Sequence, residues 1–191
     1  MVLNPQTKTL MTAEEYFALP ETNQRQELID GQLITYGDDG MSPAPKDIHE
    51  EITMVLVALL LQFVPARELR TAPTDVHIDG INVVHPDLFW VNSKSGQCVR
   101  HEDGYLHGAP DLVVEILSPA TAKQDKSTKY DLYEKHGVRE YWIVDVDMQL
   151  VEVYPRQNEK FFRHGVFGTG DSFVSPVLDG KTIIPDAIFS D

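Results

Sequence analysis

Residues 109–119, Ala109-Pro110-Asp111-Leu112-Val113-Val114-Glu115-Ile116-Leu117-Ser118-Pro119, constrain the fold more than any other part of the chain. From Leu112 to Leu117 the run is almost wholly apolar and strand-forming, and Ser118-Pro119 closes it, which is the pattern of a central strand covered on both faces. Glu115 interrupts it. Side chains alternate along a strand, so Asp111, Val113, Glu115 and Leu117 share one face while Leu112, Val114 and Ile116 share the other. An ionised carboxylate buried without a partner costs several kcal/mol, so Glu115 needs a cation, a metal or a proton beside it. A buried Lys or Arg in a purely structural pair would serve as well.

The remaining pattern supplies the candidates. Thr12-Ala13-Glu14-Glu15 has capping-box spacing and predicts a short helix that stops before Pro20. Gln26 to Ile29 and Gln32 to Tyr36 flank Asp30-Gly31, a two-residue hairpin signal, with Glu27 on the first arm; taken alone Glu27 is an exposed strand position. Ser42-Pro43-Ala44-Pro45 leads into a helix expected from about Asp47 to Phe63, with Ile48, Ile52, Leu56, Leu59 and Phe63 at helical spacing. Met54, Val55, Val57, Leu60 and Leu61 widen that stripe nearly all round, and only the first turn, with His49 and Glu50, is polar. Thr74 to Ile78 and Val83 to Val91 read as two strands joined at Asp79-Gly80, the second carrying His85-Pro86-Asp87; residues 93–108 read as a polar loop.

Beyond Pro119 a helix is expected from about Ala122 to His136, ended by Gly137. Asp125, Lys129 and Tyr133 fall four apart, in one row, with Lys123 and Lys126 beside it. Glu140 to Val146 reads as another buried strand, so strand, helix and strand predict an α/β fold with a mixed central sheet and a right-handed crossover. The segments Leu150 to Tyr154, Lys160 to His164 and Phe173 to Ser175 predict a short antiparallel extension.

Composition narrows the function. The 191 residues fit one domain, and the single cysteine, Cys98, rules out an internal disulfide and a Cys-based zinc site. With that lone cysteine and no basic-then-apolar signal at the N-terminus, a reducing cytoplasm is expected. The longest apolar stretch, Met54 to Leu61, spans 8 residues against roughly 20 for a membrane-crossing helix, so a soluble protein is expected. A net charge of −14 argues against coating nucleic acid through bulk electrostatics, although a local basic patch stays open.

If neighbouring strands bring Asp87 and Glu115 to one sheet edge, they offer hard oxygen ligands suited to Mg²⁺ or Mn²⁺, and Lys129 on the next helix can reach toward a phosphate or a water. Each residue has a plainer alternative: Asp87 as a turn residue, Asp111 as a strand cap, Lys129 as the surface partner of Asp125.

The whole pattern resembles the PD-(D/E)XK nuclease superfamily and, within it, the Uma-two family of restriction-endonuclease-like proteins. The resemblance is carried by Glu27-Leu28-Ile29-Asp30-Gly31, Pro86-Asp87, residues 110–119, and Lys129 followed by Tyr133 and Gly137-Val138-Arg139-Glu140-Tyr141-Trp142. It implies a restriction-endonuclease-like core, an N-terminal helix plus hairpin, and a Mg²⁺- or Mn²⁺-dependent endonuclease acting on DNA. The implied metal ligands are Asp87 and Glu115, with Glu27 approaching, and His49, Asp111 and Lys126 form the rim. The superfamily's lysine falls two residues after the acid, where this chain has Leu117, so Lys129 becomes the catalytic candidate. Lys123, Lys126 and Lys129 are then expected to cluster at the site. Cutting both strands of a duplex needs two sites, which makes a homodimer one expectation. Two other classes stay open: a non-catalytic binding module on the nuclease scaffold, and a hydrolase of small phosphoesters.

Overall fold

In a computed structural model of the chain, residues 10–36, 47–119 and 121–190 are described, and the Ser42-Pro43-Ala44-Pro45 entry lies outside them. The first helix, α1 (Ala13–Phe17), starts at the expected capping box: Thr12 and Glu15 satisfy each other's backbone N–H groups. Strands β1 (Gln26–Ile29) and β2 (Gln32–Thr35) pair in the register that Asp30-Gly31 dictates. Helix α2 (Asp47–Leu60) buries Ile52, Leu56, Leu59 and Leu60, while Met54 and Leu61 are exposed, so its stripe is narrower than the sequence suggests.

Strands β3 (Leu69–Thr71), β4 (Val76–Asp79), β5 (Asn82–Val84) and β6 (Leu88–Trp90) follow. The expected strand from Val83 to Val91 is therefore two strands, parted at His85-Pro86-Asp87, and they belong to different sheets. Proline cannot donate to a ladder, so Pro86 is where the pairing can change partners. The expected loop of residues 93–108 holds two further strands, β7 (Cys98–Arg100) and β8 (Leu106–Gly108), which are short and polar but sink Cys98 and Leu106 into the core. Next come β9 (Leu112–Ile116), α3 (Ala122–Asp125), α4 (Thr128–His136) and β10 (Glu140–Asp145). The single helix expected over this span breaks at Lys126-Ser127, where Ser127 takes a non-helical backbone with φ −134° and ψ −80°. The chain closes with β11 (Leu150–Gln157), β12 (Lys160–Phe161), β13 (Gly165–Phe167), β14 (Phe173–Ser175), β15 (Lys181–Ile183) and α5 (Asp186–Phe189).

Among the described residues these strands make two large mixed sheets and one ribbon: β2-β1-β5-β4-β8-β7, β12-β11-β10-β9-β6-β3 with β13 beside β11, and β14-β15. β9 is central, parallel to β10 and antiparallel to β6, and all five of its residues are buried. Leu112, Val114 and Ile116 enter the core under α2 and α5, whereas Val113 enters a second core with Leu132, Tyr133 and Tyr141. The alternation read from sequence is thus the alternation between two cores. No helix among the described residues is long and apolar enough to cross a membrane.

The hairpin that carries Glu27 depends on one glycine. Asp30 and Gly31 both have positive φ, 47° and 68°, and a Cβ on Gly31 would lie 2.6 Å from Leu10 Cβ. Gly31→Ala combines left-handed strain with a clash, and we expect it to cost about 2 to 4 kcal/mol. A shift in the denaturant midpoint measures it.

Candidate active site at the junction of two sheets

Asp87 sits where the chain passes from the first sheet to the second. Leu88 pairs with Val114 and Phe89 with Val113, so one step along the same antiparallel register sets Asp87 across from Glu115. The Asp87 carboxylate accepts the Ile116 N–H at 2.8 Å, which ties the ends of β6 and β9 together. Glu115 turns toward α4, where Lys129 Nζ at 3.0 Å and Tyr133 OH at 2.8 Å both donate to Oε1. Lys129 and Tyr133 are one helical turn apart, so α4 presents both from one face.

The first sheet contributes Glu27. Its Oε1 lies 3.1 Å from Lys129 Nζ and accepts the His85 N–H at 2.8 Å, while its Oε2 accepts the Tyr36 hydroxyl. Arg25, two residues earlier and so on the same strand face, spans the gap to Asp87: its guanidinium is 3.2 Å from Asp87 Oδ1, 3.7 Å from Glu27 Oε1, and donates to His85 O at 2.7 Å. The Tyr36 ring lies 5.3 Å from the Arg25 guanidinium carbon. His49, in the first turn of α2, brings Nε2 to 3.3 Å from Asp87 Oδ2. Asp125, at the end of α3, is 3.6 Å from Lys129 and lies beside the Thr121 side chain.

Among the described residues four buried carboxylates, Glu27, Asp87, Glu115 and Asp125, therefore share two permanent cations, Arg25 and Lys129. The imbalance shows in their protonation. Burial pushes Glu115 up to about 8 despite the adjacent Lys129, and nearby Asp125 and Asp87 push in the same direction. Burial likewise raises Asp125 to about 6 against the pull of Lys129. At Asp87 burial acts upward too, but the His49 hydrogen bond and the Arg25 charge overcome it and hold the group at about 2. Glu27 also stays below its ordinary value, because Lys129 and Arg25 outweigh burial. The hydrogen bond to Asp87 raises His49.

Access is one-sided. Lys129 is 0% exposed and the four acids are nearly so, whereas Arg25 is 29% exposed and His49 is half-buried, so the cluster opens on the Arg25 and His49 side.

The structure thus brings together Glu27, Asp87, Glu115, Lys129 and His49. It does not bring in Asp111 or Lys126. Asp111 lies at the far end of β9, where Arg139 at 3.1 Å, the Asn92 N–H at 2.8 Å and the Ser95 hydroxyl at 3.0 Å take up its carboxylate. Lys126 is carried away by the break between α3 and α4 and pairs with Glu152 at 2.8 Å; Lys123 is on the surface. The expected patch of three lysines is not formed. Arg25 and Tyr36 were missed, although both had signals: hairpin pairing about Asp30-Gly31 places Tyr36 opposite Arg25, and Arg25 alternates onto the face of Glu27. The sequence offers Asp125 as the surface partner of Lys129, and the pair is buried.

Among the described residues, no three Asp, Glu, His or Cys side chains converge closely enough to hold an ion by themselves. Mg²⁺ does not demand that, because it keeps several waters and takes one or two carboxylates plus substrate phosphate. Asp87 and Glu115 facing each other across β6 and β9, within an excess of negative charge, fit such an ion.

The comparisons with known proteins agree with this architecture. A crystal structure described as a "putative nuclease belonging to DUF820" from Anabaena variabilis superposes with a TM-score of 0.72 at 27% identity, over 94% of this chain and 98% of that one. An uncharacterized Synechocystis protein is 23% identical over 158 residues, 78% of this chain and 76% of its own length. Residues 13–184 match the Uma2 model, described as "Putative restriction endonuclease", and that span includes every side chain of the acid cluster; the chain belongs to the Uma2 family, and its fold is of nuclease type.

Proposed function

We propose that the chain is a metal-dependent endonuclease-type phosphodiesterase acting on DNA, with Asp87 and Glu115 holding Mg²⁺ or Mn²⁺. The observation that carries this reading is the charge imbalance: two carboxylates opposed on adjacent strands, among four buried acids and two permanent cations. A divalent ion, when bound, polarises the phosphodiester, acidifies a water and stabilises the leaving oxygen. The protein's own groups do the rest. Tyr133 and Lys129 hold Glu115 by one oxygen, and Lys129 also holds Glu27, so the buried ammonium is a positioning residue. Arg25 is the more exposed of the two permanent cations, which makes it the one a phosphate oxygen reaches, and its planar fork suits that contact. His49 stands at the same opening and keeps the Asp87 carboxylate in place.

One observation favours the second reading, a non-catalytic nucleic-acid-binding module. Among the described residues Lys129 is consumed by internal pairs and Lys126 by Glu152, so neither is free to act on a scissile phosphate or a water, which counts against catalysis. A cleavage assay separates the readings: plasmid, single-stranded DNA and a small phosphodiester, each with Mg²⁺ or Mn²⁺. Metal-dependent nicking is the expected result. Cleavage of the small ester alone would move the protein to phosphoester hydrolysis, and DNA binding without cleavage would support the module.

A further inference from the structure

A second feature lies at the opposite end of β9, away from the acids. Glu140 pairs with Pro155 across β10 and β11, and Arg156 N–H donates to Arg139 O at 2.8 Å, so Arg139 and Arg156 are directly opposed on neighbouring strands. Like charges in that arrangement destabilise a sheet unless anions offset them. Only Arg139 has such an anion, Asp111 at 3.1 Å. Arg156 donates through Nε to Glu134 O at 3.4 Å, at the C-terminal end of α4, and its two terminal NH₂ groups have no carboxylate within ion-pair distance among the described residues. The nearby acids are already engaged. Glu134 accepts from Lys160 at 2.6 Å and from the Phe161 N–H at 2.7 Å, and buried Glu140 accepts from Trp142 Nε1 at 2.6 Å and the Val177 N–H at 3.1 Å. The Arg156 charge is felt by Glu134, but Lys160 already occupies that carboxylate, so the terminal NH₂ groups of Arg156 are left to meet a further anion.

In front of the pair is a cavity of about 510 Å³, lined by Arg139, Arg156, Gln157, Phe162 and Pro176 among others. Phe162 is 42% exposed, so much of its ring is free to be covered. Guanidinium forks recognise phosphate, and an open aromatic ring stacks with a base. The space is an open depression on the surface, and its volume is of the order of small-ligand sites.

We propose that this cavity is a binding site for a nucleoside 5′-phosphate unit, with the phosphate on Arg156 and Arg139 and the base against Phe162. The unit has two sources with the same chemistry, a free nucleotide or the 5′-terminal nucleotide of a single strand. The site is independent of the acid cluster and of whether that cluster cleaves anything.

The full chain is titrated calorimetrically in EDTA, which removes any metal-borne binding at the acids, with AMP, adenosine, inorganic phosphate, and a short single-stranded DNA bearing or lacking its 5′-phosphate. AMP should bind and adenosine should not, with inorganic phosphate weaker than AMP. Arg156→Gln should weaken AMP at least about tenfold and Phe162→Ser several-fold, with Arg156→Lys falling between parent and Arg156→Gln. Thermal melts of each variant exclude unfolding as the cause. Preference for the 5′-phosphorylated strand over the unphosphorylated one would identify the nucleic-acid end as the source, and AMP binding without that preference would identify a free nucleotide. The proposal is overturned if neither AMP nor the 5′-phosphorylated strand binds, or if Arg156→Gln binds as the parent does.

Discussion

Lys129→Met should lower folding stability by about 3 to 5 kcal/mol at pH 8, because it removes the one ammonium buried among Glu27, Glu115 and Asp125 and leaves their charge uncompensated. The loss should shrink on acidification. Without the ammonium Glu115 and Asp125 rise further and Glu27 loses the main charge that holds it down, and a carboxyl whose folded pKa exceeds its unfolded one binds a proton in the native state that the unfolded chain has already released. That difference makes stability grow as pH falls from the folded value toward the unfolded one. Denaturant melts at pH 8, 6.5 and 5 test this, and a cost under about 1 kcal/mol at pH 8 would show that the carboxylates are held by something other than Lys129.

Glu115→Gln should behave in the opposite way, losing activity while keeping the fold. Lys129 stays paired, with Glu27 at 3.1 Å and Asp125 at 3.6 Å, so no cation is orphaned and one excess charge disappears. In the metal-free parent, Glu115 at about 8 and Asp125 at about 6 both lie above the ordinary carboxylate range. The native state therefore holds protons that the unfolded chain lacks, and stability should decline as pH rises from about 5 to 8. Glu115→Gln should flatten most of that decline and match or exceed the parent at pH 8. Mg²⁺ or Mn²⁺ should raise the melting temperature of the parent alone, since a ligand of the native state stabilises it by mass action. Cleavage should fall on the order of 10²- to 10³-fold. A metal-free Glu115→Gln protein destabilised by about 3 kcal/mol or more would mark Glu115 as half of a structural ion pair and remove it from the proposed metal site.

These opposite expectations for two residues in direct contact show how far local pattern reaches. The capping box at Thr12, the hairpin about Asp30-Gly31 and the alternation along residues 112–116 were readable because each depends on neighbours a few residues away, and steric and hydrogen-bonding rules at that range hold in nearly any context. The need of Glu115 for a cation was readable for a related reason, since an interrupted apolar strand must answer its own acid, whereas its opposition to Asp87 was a conditional expectation that the β6–β9 register decided. The division of Val83 to Val91 between two sheets, the break at Lys126-Ser127 and the two strands within residues 93–108 were not, because each is settled by which surface the segment can bury. Charge partners lie further off still. Arg25 meets Asp87 across 62 positions and Arg139 meets Asp111 across 28, so Asp87 became a member of the acid cluster and Asp111 a clamp at the other end of the same sheet, although the two look alike in sequence. A carboxylate's role follows from the cation that repays its desolvation, and folding alone brings that cation to it.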